Sequence, residues 1–120
     1  MLLRLPLSER IMDRAFVQGE TLHAPHIIDL EVSQVLRRYW RAGDITAVRG
    51  REALRDLGDL PMIRHSHEPL IERIWELRNN ATAYDAAYIA LAEGLNGTLL
   101  TLDRGMARTP GARAIVEVFA

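Results

Sequence analysis

The chain has 120 residues, enough for one domain with its own hydrophobic core, and its 48% hydrophobic and 26% charged content is that of an ordinary globular protein. A net charge of −1 excludes a protein that coats nucleic acid by bulk electrostatics, and the lack of cysteine excludes disulfides, zinc–thiolate centres and a cysteine nucleophile. All fifteen basic residues are arginine, the better side chain for bidentate phosphate contacts, so a local basic patch stays open beside codon bias as the cause.

The opening "MLLRLPLSER" is broken by Arg4 and Pro6 and has no signal-peptide core, and no later apolar stretch approaches a membrane span. A cytoplasmic protein without membrane contact is expected. "LSERIMDRAFVQGE" carries Ile11, Ala15 and Phe16 at helical spacing, with Gly19 as a stop. "TLHAP" reads as a short strand. "IIDLEVSQVLRRYWRAG" is the clearest amphipathic helix, with Ile28, Val32, Val35, Leu36 and Tyr39 on one face and Gly43 at its end. "DITAVRGREALRDLGDL" is a more polar helix with Gly50 inside it, and "PMIRHS" a short strand.

"EPLIERIWELRNN" reads as a helix with Pro69 near its first turn, where the missing N–H costs nothing. "TAYDAAYIALAEGL" is a helix apolar on nearly all sides and therefore buried. "GTLLTLD" has the continuous apolar character of a strand covered on both faces, and "ARAIVEVF" is a final strand. Strands alternating with helices predict a single α/β domain over residues 1–120, with a mostly parallel sheet.

Three carboxylates stand out against these elements. Asp85 fits a capping box with Thr82, and Asp103 fits an N-cap ahead of "RGMAR". Glu31 and Asp29 lie at opposite edges of the apolar face of their helix, and periodicity does not choose between them. Each acid has a structural explanation alone. Together they follow the rule that open parallel sheets bind ligands beyond the carboxyl ends of their strands. Asp103 follows a predicted strand directly, Glu31 lies early in a helix after another, and Asp85 starts the helix that feeds Asp103's strand. Carboxylates that converge repel one another unless a cation is present, and hard oxygen ligands select Mg²⁺ or Mn²⁺. Such a site activates water and neutralises a phosphate under attack.

"HAPHIIDLEVSQVLRR", "TAYDAAYIALAE" and "LLTLDRGMA", in this order, resemble the motifs of PIN-domain proteins of the VapC toxin type, over essentially the whole chain. The resemblance implies a three-layer domain, its mostly parallel sheet flanked by helices. It further implies an Mg²⁺-dependent endoribonuclease, usually a homodimer and inhibited by a small antitoxin. Carried over by position, it selects Glu31 over Asp29 and adds Asp85 and Asp103 as catalytic metal ligands. Thr101 then supports the site and Thr82 caps. Arg104, from its place beside Asp103, is a candidate for contacting a substrate phosphate.

The family pattern also opens with a short apolar strand ending in a fourth acid. "MLLRLPLSER" offers no such segment and resembles the end of the helix that follows it. The resemblance therefore implies an N-terminally shortened chain in which the first, central strand and its aspartate are missing. Unpaired edges on "TLHAP" and "GTLLTL" are then expected. A chain short of one ligand also admits a second reading, a catalytically impaired binding module that retains only antitoxin binding or self-association. A nuclease acting on DNA is a third.

Arg37, Arg38 and Arg41 suit the carboxyl-terminal dipole of their helix, with RNA contact as the alternative. His65 and His67 would share a strand face as a conceivable metal pair, though no third ligand accompanies them. His23 and His26 fit no ligand spacing. Trp40 and Trp75 are expected in the core or an interface.

Overall fold

The computed structural model describes residues 2–3, 20–101 and 103–119. The helix predicted over "LSERIMDRAFVQGE" lies, as far as Gly19, outside the described residues. Five strands form one sheet: β1 (Leu2–Leu3), β2 (Leu22–Pro25), β3 (Met62–His65), β4 (Thr98–Thr101) and β5 (Ile115–Val118). Their order is β3-β2-β1-β4-β5, and every pairing is parallel.

This order corrects one expectation. The central position is filled, because Leu2–Leu3 lies between β2 and β4, with Leu2 opposite both His23 and Leu99 and Leu3 opposite Leu100. The inner edges of β2 and β4 are therefore paired. A ladder is made by backbone N–H and C=O groups, so an apolar dipeptide serves without the family's strand motif. It brings no carboxylate, and the first acid of the sequence is Glu9.

Helix α1 (Ile28–Arg41) follows β2 and folds back against α2 (Ala47–Asp59). Ala24, Ile28, Val32 and Leu57 form a buried cluster there, with Leu36, Leu60 and Met62 around it. The buried stripe of α1 is shorter than its periodicity suggests, since Tyr39 is exposed. Thr46 starts α2 by accepting the Arg49 N–H. Trp40 and Trp75 are both more than half exposed, so neither is a core residue.

The helix expected over "EPLIERIWELRNN" is broken into a 3-10 turn (Glu68–Leu70) and a short α3 (Ile71–Glu76). Beyond Glu76 the backbone tightens, with Arg78 N–H on Trp75 C=O and Asn80 N–H on Leu77 C=O. That turn drives Leu77 into the core, where it is 2% exposed. Burying one leucine outweighs continuing through "RNN", which has little helix propensity in its two asparagines.

Helix α4 (Ala83–Leu95) is buried without interruption from Ala86 to Ala92, as its all-apolar surface requires. It ends in a Schellman closure: Asn96 adopts φ 51°, its N–H bonds to Glu93 C=O, and the Gly97 N–H reaches Ala92 C=O. Tyr88, Ile89, Leu91 and Ala92 pack with Leu77, Leu99 and Met106 as the main core. Leu99 and Leu100 point to opposite faces of β4 and both are fully buried, so this strand is covered on both sides. Among the described residues no helix is long and apolar enough to cross a membrane.

Candidate active site

Because β2, β1 and β4 are parallel, the end of β2 that leads into α1 and the end of β4 that leads to Asp103 share one edge of the sheet. Helix α4 reaches β4 through Asn96 and Gly97 alone, so its carboxyl end meets the opposite edge and its amino end returns to this one. Topology alone thus brings the beginnings of α1 and α4 and the turn after β4 to the same rim.

Glu31 lies in the first turn of α1 and is half-buried. Its Oε1 accepts the Tyr88 hydroxyl at 2.6 Å. Tyr88 is fully buried and lies one turn beyond Asp85 on α4. The helix of one candidate acid therefore holds the carboxylate of another. The sequence carries a signal for this bond: a tyrosine in a helix buried all round needs a partner for its O–H.

Asp29 does different work. Its two oxygens accept Nε and Nη2 of Arg64, each at 2.8 Å, a bidentate pair that ties α1 to β3. The carboxylate that periodicity could not distinguish from Glu31 is thus committed to the scaffold. The hydrogen bonds and attraction of Asp29 hold the Arg64 guanidinium above its usual pKa, against the effect of burial.

Thr82 caps α4 by accepting the Asp85 N–H at 3.1 Å. The return bond of a capping box, from the Thr82 N–H to the Asp85 carboxylate, is not made among the described residues. Asp103 does cap: its Oδ1 accepts the Gly105 N–H at 2.8 Å and starts the 3-10 turn Arg104–Arg108. A side chain at Gly105 would meet that Oδ1 at 3.0 Å, so the tight turn favours glycine. Thr101, 1% exposed, accepts the Asp103 N–H at 3.0 Å and fixes the backbone on which Asp103 stands. Arg104 is exposed at the start of the turn.

The three acids share a rim without forming one cluster. Among the described residues no group of three or more His, Cys, Asp or Glu lies close enough to hold a metal ion. Hard carboxylate oxygens nevertheless match Mg²⁺, which commonly binds through one or two carboxylates, waters and substrate phosphates rather than a closed protein cage.

His65 and His67, conceivable as a metal pair on one strand face, do not share a strand. Strand β3 ends at His65, and His67 is exposed at the start of the next 3-10 turn. His65 instead meets His23 across the strands, Nε2 to Nδ1 at 2.8 Å, while His23 Nε2 lies 2.7 Å from Thr21 Oγ1.

A PIN-domain family model matches residues 6–112. Ribonuclease VapC9 of Mycobacterium tuberculosis is 41% identical over 105 residues, covering 88% of this chain and 83% of the relative. Ribonuclease VapC12 of the same species is 33% identical over 120 residues, covering 100% and 92%. Among solved structures, PAE2754 from Pyrobaculum aerophilum superposes with a TM-score of 0.60 at 26% identity, over 79% of this chain and 65% of that one. VapBC2 from Rickettsia felis, bound to a DNA fragment from its promoter, gives 0.61 at 16% identity, over 84% and 76%. The chain belongs to the PIN-domain family and, within it, to the VapC group.

Proposed function

We propose that this chain is a cytoplasmic, divalent-metal-dependent endoribonuclease of the VapC toxin type, with Glu31, Asp85 and Asp103 as its metal-binding acids. The observation that carries the reading is the rim itself: three elements distant in sequence present carboxylates at the carboxyl edge of one parallel sheet, and Tyr88 joins the first to the helix of the second. Relatives covering most of the chain are named ribonucleases. A bound Mg²⁺ or Mn²⁺ would supply charge neutralisation at an RNA phosphate and a water acidic enough to attack it.

The chain's own groups supply position. Glu31 is oriented by Tyr88, Asp85 stands on a capped helix end, and Asp103 is held by Thr101 and its own turn. Arg104, exposed next to Asp103, would pair with non-bridging phosphate oxygens. A small antitoxin covering the acidic rim, with a basic residue set among the acids, would silence it, and a homodimer is the expected assembly.

One observation favours a second reading. The central strand carries no carboxylate, and the described acids form no three-membered cluster. A binding module that retains antitoxin or self-association fits those facts. Mg²⁺-dependent cleavage of RNA by the full chain, lost in Asp85→Asn, supports the nuclease. Equal inactivity of both proteins supports the binding module.

A further inference from the structure

The chain has four histidines, His23, His26, His65 and His67, and all lie within two residues of the carboxyl end of β2 or β3. Histidine is the side chain that ordinarily changes charge between pH 5 and 8. Two of the four touch, His23 Nδ1 lying 2.8 Å from His65 Nε2. The 5.1 Å between ring centroids is that contact plus about one ring radius on each side, so the two nitrogens point at each other.

One proton occupies such a contact. In either tautomer a first extra proton can sit on an outer ring nitrogen and leave the bond intact. Thr21 Oγ1, 2.7 Å from His23 Nε2, accepts or donates to suit. A second extra proton has only the contact to enter, and two imidazolium rings then face each other.

Strand β3 carries the effect further. It is the outermost strand and, among the described residues, pairs with β2 alone. Its last two residues hold the connection between β2 and α1. The His65 C=O accepts the His26 N–H at 2.9 Å, and Arg64 takes both oxygens of Asp29. Glu31 stands two residues after Asp29 in the same first turn of α1.

The surrounding charges do not offset a second proton. Burial, the positive amino terminus and His65 hold the His23 pKa below 6.5. Arg64 and Asp29 neutralise each other, and Leu2 opposite His23 is apolar. Helix α4, which also packs on β2, carries no charge from Ala86 to Ala92. Glu20 is exposed before Thr21, and the exposed His26 and His67 add positive charge as pH falls. Among the described residues no carboxylate pairs with either ring.

We propose that the His23–His65 contact is an acid-sensitive latch on the helix of Glu31. It is closed at neutral pH. When both rings are protonated, the end of β3 releases the β2–α1 connection and Glu31 loses its fixed position. The effect on metal binding rests on the reading of Glu31 as a ligand, but the latch itself does not.

The test is residue-resolved amide hydrogen exchange by NMR on the full chain, with rates expressed as protection factors. From pH 7.5 to 5.5 the protection of the His26 and Glu31 N–H groups falls about tenfold, while Leu91 N–H follows only the global stability read from urea melts. His23→Gln and His65→Gln each hold the fall within about twofold, and His67→Gln keeps it. Mn²⁺ affinity falls about tenfold over the same range in wild type and stays level in His23→Gln, since exposed carboxylates remain ionised there.

Unchanged protection at His26 and Glu31 overturns the latch, and so does an equal fall at Leu91, which means global unfolding. A fall that persists in His23→Gln assigns the titration elsewhere and overturns it too. Local release in a chain that binds no Mn²⁺ at either pH keeps the latch and removes the metal reading. Mn²⁺ binding without local release does the reverse.

Discussion

The Tyr88 hydroxyl donates to Glu31 Oε1 at 2.6 Å, from a ring that is fully buried one helical turn beyond Asp85. This bond couples two of the three candidate acids through the scaffold. A metal ligand whose second interaction is fixed by a buried donor has fewer orientations to lose when it coordinates.

Tyr88→Phe keeps the ring in place and removes only the donor. We expect a stability loss of about 1.5–3 kcal/mol, the usual range for a hydrogen bond to a charged group. Mn²⁺ affinity, measured by electron paramagnetic resonance of the free ion, should fall about tenfold or more, as for other partners that orient metal ligands. Combining the change with Glu31→Gln should add nothing to the loss of affinity. Additive losses would mean that Tyr88 acts through something other than Glu31.

Arg73 and Glu93 form a polar knot at the junction of three elements. Arg73 Nε and Nη2 bond to the two Glu93 oxygens at 2.7 and 3.1 Å, and the same Nη2 reaches Gly111 C=O at 2.6 Å. The Arg113 N–H adds a bond of 2.6 Å to Glu93, so one pair ties α3, α4 and the approach to β5 together. Burial pushes the Glu93 carboxyl upward, but Arg73 and the Arg113 N–H outweigh it and leave the pKa below its usual value. Arg73→Ala leaves that half-buried carboxylate without its main partner and should destabilise by about 3 kcal/mol. Calorimetry should record a Tm lower by about 10 °C. A Tm within about 2 °C of wild type would show that the loop before β5 holds without the knot.

The sequence made the α/β alternation readable because apolar periodicity is a local pattern, and it marked Asp85 and Asp103 as acids at element ends; Glu31 is separated from Asp29 only by the resemblance to the family's motifs. What it hid were relationships fixed only by tertiary contact. The pairing of His23 with His65 depends on strand register, and so does the commitment of Asp29 to Arg64, because Ala24 lies opposite Arg64 just before α1 begins. The early end of α3 depends on Leu77 reaching the core. The central place of Leu2–Leu3 was unreadable for a different reason. Two leucines carry no periodicity, and their strand character comes entirely from the ladders on either side.

The division of labour between Asp29 and Glu31 is directly testable. Asp29→Asn weakens the bidentate pair with Arg64, which is partly exposed on both sides, and should cost about 1 kcal/mol or less. RNA cleavage should persist. Glu31→Gln still accepts the Tyr88 hydroxyl, now as a neutral hydrogen bond, and should cost about 1 kcal/mol, while cleavage falls by about 100-fold or more. Urea melts and a cleavage assay on both variants distinguish the two roles. The opposite pattern would move the candidate ligand from Glu31 to Asp29.

The contact between His23 and His65 should make stability depend on pH. Across the 2.8 Å contact one ring N–H donates to the lone pair of the other ring, so a proton on both facing nitrogens would break the bond and bring like charges together in a partly buried place. Burial and the neighbouring His65 hold the His23 pKa below its ordinary value of 6.5. The unfolded chain therefore binds more protons than the folded one in the window below that value, and stability rises with pH across it. The His23 contribution is complete above about pH 6.5 and is lost as pH falls through the lower, folded-state value. Urea midpoints measured from pH 7.5 down to 5 should decline for wild type, while His23→Gln removes that part of the slope. An identical slope in the variant would assign the decline to other groups.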